Sequence, residues 1–193
     1  MKKFELTNEF IANRFGTKLF RIRALVEFGD VEAGELGGYV EKESNLGHDD
    51  NAWVYDNAWV YGNARVYGDA QVSGDALVYG NALVYGNARV YGNAWVYGNA
   101  LVCGNARVCS DEDYAYAHGF GSVNRTTTFF RLKDGGVGVR CGCFYGTLAQ
   151  FRDKIRETHG ETKKAQEYLM LADLMELRFE EDENEVGNRK YVE

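Results

Sequence analysis

Between Asn51 and Ser110, apolar and polar positions recur in a strict frame of six. Ten hexads of the form (N/D)-A-x-V-(Y/S/C)-(G/D/S) follow one another without a gap. Fixed-period self-similarity is the mark of a solenoid. A helix face needs apolar contacts at i, i+3, i+4 and i+7, which six does not supply. Collagen is excluded, because Gly is not every third residue and the chain has no Pro. In an extended backbone, residues two apart point to the same side. Val54, Val60, Val66 and their successors therefore point inward with Ala52, Ala58 and Ala64, and the residue between each pair points out. Gly-Asn or Gly-Asp follows, a pair that tolerates the positive φ of a tight corner. Each hexad predicts one short strand and one corner.

The pattern differs on either side. In residues 1–50, TKLFRIRALVEF alternates and predicts a strand or two. GELGGYVEKESNL carries traces of the hexad, with Leu36 and Val40 inward, and reads as an imperfect capping coil. A solenoid needs such a cap to hide its open end. After Ser110 the repeat stops. TTTFFRLKDGGVGVRCGCF predicts a β-hairpin with arms Thr126 to Leu132 and Val137 to Phe144, with Cys141 and Cys143 in a strand. GTLAQFRDKIRETHG predicts a helix with Thr147 as N-cap, Gln150 completing a capping box, Leu148, Phe151 and Ile155 on the apolar face, and Gly160 as the stop. TKKAQEYLMLADLMELRF predicts a second helix, with Tyr168, Leu169, Ala172, Leu174, Met175 and Leu177 in its core. The organisation is thus a cap over 1–50, a repeat over 51–110, an α+β domain over 111–178 and an acidic tail over 179–193, whose last dozen residues are expected to fray.

The V-Y-G-N-A-x text resembles the hexapeptide repeat of single-stranded left-handed β-helices, most closely the YdcK-like type. It is also similar to many phage and prophage proteins, as is the C-terminal stretch TTTFFRLKDG to CGCFYGTLAQFRDKIRETHG. The resemblance implies a mainly β fold, a left-handed β-helix followed by a small α+β domain, with three hexads per coil and about three and a third turns over the repeat. Family members of this fold are often trimers, which implies a homo-oligomer here.

With three hexads per coil, the outward residue before each Val falls into three columns. One is Trp53, Gln71, Arg89, Arg107 and is mostly polar. The others are Trp59, Leu77, Trp95 and Arg65, Leu83, Leu101, and both are largely apolar. Tyr61, Tyr79 and Tyr97 line one corner, and Tyr67 and Tyr85 another. Contiguous outward apolar residues generally mark contacts. Self-association through these columns, a C-terminal domain folded back over one face, and a stacking surface for nucleobases are the functional readings. Ladders that merely stabilise stacked strands fit the same residues.

Composition narrows the partners. The net charge is −7 and 45% of residues are hydrophobic. Duplex nucleic acid needs a concentrated basic face, so long DNA or RNA is not an expected partner. No run approaches the ~20 apolar residues of a membrane span, and MKKFELTNEF lacks the apolar core of a signal peptide. A cytoplasmic protein is expected, in the host cytoplasm if phage-encoded. Cys103 and Cys109 fall on different faces, which disfavours a disulfide, and C-G-C lacks the spacing and the second pair of a metal site. The four read as free thiols.

No catalytic motif stands out: G-x-S-x-G, the P-loop and H-E-x-x-H are missing, and so is any cofactor signature. Some left-handed β-helix proteins are acyltransferases with a catalytic His at a coil boundary. The histidines here, His48, His118 and His159, lie outside the regular coil, and no long loop interrupts it. The expected reading is therefore a non-catalytic binding protein that sequesters a small nucleotide signal of host antiviral defence. Its site would lie between coil and C-terminal domain: Arg125, Thr126, Thr127, Thr128, Arg131, Lys133 and Arg140 on the hairpin, Thr147 at a helix start that offers free N–H groups, and Tyr114 and Tyr116 for stacking. A hairpin with solvent-facing Arg and Thr explains the same residues. An oligomeric scaffold is the competing function, and a hexapeptide-repeat acyltransferase the third.

Overall fold

The structure, a computed structural model, describes residues 1–121 and 124–180. The acidic tail beyond Glu180 lies outside the described residues, as do Ser122 and Val123. The chain opens with β1 (Phe4–Ala12), β2 (Lys18–Ala24) and β3 (Leu36–Val40). Ten two-residue strands follow, β4 to β13: Trp53–Val54, Trp59–Val60, Arg65–Val66, Gln71–Val72, Leu77–Val78, Leu83–Val84, Arg89–Val90, Trp95–Val96, Leu101–Val102 and Arg107–Val108. Then come β14 (Tyr114–Phe120), β15 (Arg125–Arg131), β16 (Val137–Cys141), β17 (Phe144–Thr147), α1 (Leu148–His159) and α2 (Lys163–Phe179).

The two-residue strands build a β-solenoid of about four turns with three parallel faces. Pairing is between residues eighteen apart, as in Trp59↔Leu77↔Trp95, Arg65↔Leu83↔Leu101 and Trp53↔Gln71↔Arg89↔Arg107. Every repeat Val and Ala is fully buried, and together they form one continuous core. The corner glycines from Gly62 to Gly104 all have φ between 62 and 73°, a left-handed region that residues with a Cβ seldom occupy. Outside the corners, amides ladder from coil to coil: Asn63 to Asn81 at 3.2 Å and Asn81 to Asn99 at 3.1 Å.

The hydrogen-bond direction gives the solenoid a polarity. The N–H groups that bridge coils donate to carbonyls one coil later, as Trp59 N does to Ala76 O at 2.9 Å. The first coil is therefore left with free carbonyls and the last with free N–H groups. Buried orphans of either kind are costly, and each end meets complementary caps. At the N-terminal end the donors are Tyr39 N to Ala58 O, Lys3 Nζ to Ala52 O at 2.8 Å and Asn45 Nδ2 to Ala64 O at 2.8 Å. At the C-terminal end the acceptors are Asp111 for Trp95 N at 2.7 Å, Thr128 for Leu101 N at 2.9 Å and Asp113 for Cys109 N at 2.9 Å.

The N-terminal cap holds a strand, β1, that the sequence pattern does not predict. β1 and β2 form an antiparallel hairpin that joins the sheet of β3, β5, β8 and β11. Phe4 and Phe28 pack edge-on against Trp53, with ring centroids 6.2 and 5.3 Å away. Trp53, placed in an outward column, is therefore fully buried. Val40 points inward as expected, but Leu36 is 49% exposed. Its slot falls where the β2–β3 register shifts between Arg21 and Arg23. Gly37 and Gly38 have no room for a side chain. A Cβ on Gly38 would meet Ala58 O at 2.6 Å, and the double glycine is what seats β3 on the first coil.

The C-terminal sheet runs β14-β15-β16-β17, all antiparallel. The predicted second arm is in fact two strands, because Gly142, at φ 58°, turns the chain between Cys141 and Cys143. Phe130 joins the solenoid core and Phe129 the separate core under the helices. The sheet thus closes the end of the solenoid with one face and carries α1 and α2 on the other. Thr147 caps α1 in a capping box with Gln150, and Gly160 ends it. In α2 the buried stripe is Ala165, Tyr168, Ala172, Met175 and Phe179. Leu174 and Leu177, expected in the core, are 54 and 67% exposed. They lie with Met170 on a second stripe that the sheet does not reach.

Candidate functional site

The residues of the hairpin site expected from the sequence are brought together only in part. Strand alternation divides its residues between the two faces of the C-terminal sheet. On the helix side, Thr127 Oγ1 bonds Cys141 Sγ at 3.1 Å, and buried Arg131 bonds Phe179 O at 3.0 Å and lies over the Phe179 ring. The Arg125 guanidinium lies against the Gly142 turn. On the solenoid side, Thr128 caps Leu101 N, Thr126 meets His118 Nδ1 at 2.9 Å, and Tyr114 and Tyr116 set their edges against Tyr97 at 6.5 and 6.3 Å. Arg140 reaches Cys143 O at 3.4 Å, and its charge lies near Tyr67, Tyr85 and Cys103. Lys133 is exposed, and its backbone N–H bonds Asn105 O at 3.1 Å. Thr147 is engaged in capping α1. Burial raises the Tyr114 and Tyr85 phenols well above their usual range and pushes Tyr168 up to about 12. Arg131 and Thr147 line one hollow of about 330 Å³ beside Glu176 and Phe179, while the other groups stitch cap, coil and helices together.

The histidines are similarly placed. His48 stacks on Phe4 at 4.5 Å and accepts from Lys3 N at 3.2 Å, and burial holds it below the usual imidazole value. His118 meets Thr126, and His159 stacks on Tyr168 at 6.0 Å.

The apolar columns stand as expected. Trp59 and Leu77 are half-buried, Trp95 is 40% exposed, and buried Tyr39 pairs with Trp59 to extend the row. Along the adjoining corner Tyr61, Tyr79 and Tyr97 stack face to face at 5.1 and 5.3 Å, and Tyr97 is 40% exposed. On the next face Leu83 and Leu101 are half-buried beside exposed Arg65, with Tyr67 and Tyr85 stacked at 5.0 Å. The C-terminal sheet meets these flanks at their last rungs, where Tyr114 and Tyr116 pack against Tyr97 and the Arg140 charge lies near Tyr67 and Tyr85. It seats on the end of the coil, through the Ala106↔Leu132 bridge and the Lys133 bond to Asn105.

The third face carries a feature the sequence reading passed over. Tyr55, Gln71, Arg89 and Arg107 line a groove of about 260 Å³, with Asp30 and Asp69 at its rim. Arg107 Nη1 bonds Asn87 O at 3.0 Å, while Arg89 is exposed. Desolvation, with the like charge of Arg89 adding to it, lowers the Arg107 guanidinium below its ordinary value. The sequence carries the signal as two arginines eighteen apart in one column, Arg89 and Arg107, which composition alone marks only as polar.

Comparison with known proteins bears on the coil. The family model described as the YdcK Beta solenoid repeat matches residues 58–72, 70–86 and 82–98. The repeat is thus similar to that family, and the match lies within the solenoid. No curated protein matches the chain.

Proposed function

We propose that this protein is a non-catalytic assembly module that associates side by side through the face bearing Trp59, Leu77 and Trp95. The observation that carries this is the contrast between ends and flank. Both ends of the solenoid are closed by caps of matching hydrogen-bond polarity, which disfavours end-to-end growth. The flank keeps a row of Trp59, Leu77 and Trp95, with Trp95 and the neighbouring Tyr97 each 40% exposed. Rows of large apolar residues on a rigid surface usually meet a partner, and a closed homo-oligomer is the commonest arrangement. The trimer implied by the left-handed β-helix resemblance is the favoured form. The packing of His48 on Phe4 and of His159 on Tyr168 supports the non-catalytic reading over an acyltransferase.

No helix among the described residues is long and apolar enough to cross a membrane. The phage-like resemblance fits a module working in a host cytoplasm. Sequestration of a small nucleotide signal is the second reading, and what favours it is the Arg89–Arg107 groove rather than the hairpin. The test of assembly is the double variant Trp59→Ser/Trp95→Ser, compared with the unaltered protein by light scattering. Conversion to the monomer mass with an unchanged far-UV spectrum supports the proposal. An unchanged mass contradicts it.

A further inference from the structure

The geometry points to a binding site for a small phosphorylated, hydroxyl-rich molecule, of the sugar-phosphate class, in the groove of Tyr55, Gln71, Arg89 and Arg107. The site lies on a different face from the assembly row and stands or falls independently of it. Parallel pairing sets Arg89 and Arg107 in register, about 4.8 Å apart along the sheet. Like charges directly opposite one another on a sheet are unfavourable. No salt bridge between described residues involves either guanidinium. Two guanidiniums so placed form a double fork for a phosphate, which accepts bidentate bonds from arginine. The protein as a whole is acidic, at net charge −7, so the pair is a local exception.

The other end of the groove has the opposite character. Asp69 accepts from Asn51 Nδ2 at 2.8 Å, and Asp30, from the loop after β2, joins it in the lining. Carboxylates repel a second anion and accept hydrogen bonds from hydroxyls. Between the two ends, Gln71 Nε2 reaches the Tyr55 hydroxyl at 3.5 Å, a long contact that leaves both groups able to bond a ligand. A molecule that matches the whole groove carries a phosphate at one end and hydroxyls at the other. The volume of about 260 Å³ is at the small end of ligand sites and fits one sugar ring with its phosphate.

The test is calorimetric titration at low ionic strength with inorganic phosphate, ribose, ribose 5-phosphate and AMP. Ribose 5-phosphate is expected to bind at least ~10-fold more tightly than phosphate or ribose alone. Arg89→Gln and Arg107→Gln should each weaken it by about 10-fold, and Arg89→Lys by less, because the charge is kept. Asp69→Asn should weaken ribose 5-phosphate but not phosphate. Tighter binding of AMP than of ribose 5-phosphate identifies a nucleotide as the source of the phosphate, and the reverse order a free sugar phosphate. Arg89 is exposed, so its variants should fold even if Arg107→Gln does not. Equal affinity for phosphate and ribose 5-phosphate, binding insensitive to Arg89→Gln, or no binding of any of the four overturns the inference.

Discussion

The Thr128 hydroxyl accepts a hydrogen bond from the backbone N–H of Leu101 at 2.9 Å, across the boundary between the last coil and the C-terminal sheet. Thr128 is fully buried, so nothing else replaces the bond. A residue first read as part of a ligand pocket thus closes one strand of the solenoid. Thr128→Val keeps the shape and removes the acceptor. It should cost about 1–3 kcal/mol of stability, read from chemical denaturation, while Thr128→Ser should cost clearly less. Equal loss in the two variants would show that packing, not the hydrogen bond, is what Thr128 supplies.

The opposite end depends on Lys3, which is 3% exposed and donates to Ala52 O and Asp50 O. Desolvation lowers its pKa to about 8, against partial opposition from Asp50 and Asp49. Between that value and the unfolded value near 10.5, the unfolded chain binds more protons than the native one. Stability linked to Lys3 therefore rises with pH across this window. Thermal unfolding from pH 7.5 to 9.5 should show this rise relative to Lys3→Met, in which it is absent. The window stops short of general tyrosine ionisation.

His48 sets an acid limit on the same cap. Its folded pKa is depressed by burial, and its Nδ1 must be unprotonated to accept from Lys3 N. The unfolded chain takes up the proton first, so stability is held above about pH 6.5 and lost below it. A His48→Asn variant should be less stable at neutral pH and show a flatter decline from pH 7 to 5. Parallel declines would remove His48 from the account.

Gly38 tests the seating of β3. A methyl group there would meet backbone oxygen of Ala58 at 2.6 Å and Val54 Cγ1 at 2.7 Å. Gly38→Ala should destabilise by about 1–3 kcal/mol through overpacking, whereas Gly136→Ala, whose methyl would meet only the exposed Asp134 side chain at 3.2 Å and Leu132 at 4.0 Å, should cost clearly less. Calorimetric unfolding of the two variants separates them.

The solenoid was legible because its information is local and repeated. One hexad states which residue turns in, which turns out and where the corner falls, and the columns Trp59–Leu77–Trp95 and Arg65–Leu83–Leu101 follow once three hexads make a coil. The caps were less legible. β1 gains its role from pairing with β2 and from covering Trp53, contacts that no local pattern encodes. Leu36 fits the hexad in sequence but falls at a register shift, and Gly142 turned one expected arm into two strands. In α2, Leu174 and Leu177 are as apolar as the true core residues. Only the position of the sheet decides which stripe is buried. The hairpin residues part company for a related reason: Thr127 and Thr128 are neighbours in sequence and lie on opposite faces of a sheet. Arg89 and Arg107, far apart in sequence, are neighbours in space.

Association through the Trp59–Leu77–Trp95 face is tested most directly by sedimentation velocity of the unaltered protein over a wide concentration range. The account predicts a discrete species at a small whole multiple of the 21.7 kDa chain mass, dissociating only on dilution. A single species at 21.7 kDa at every concentration would contradict it.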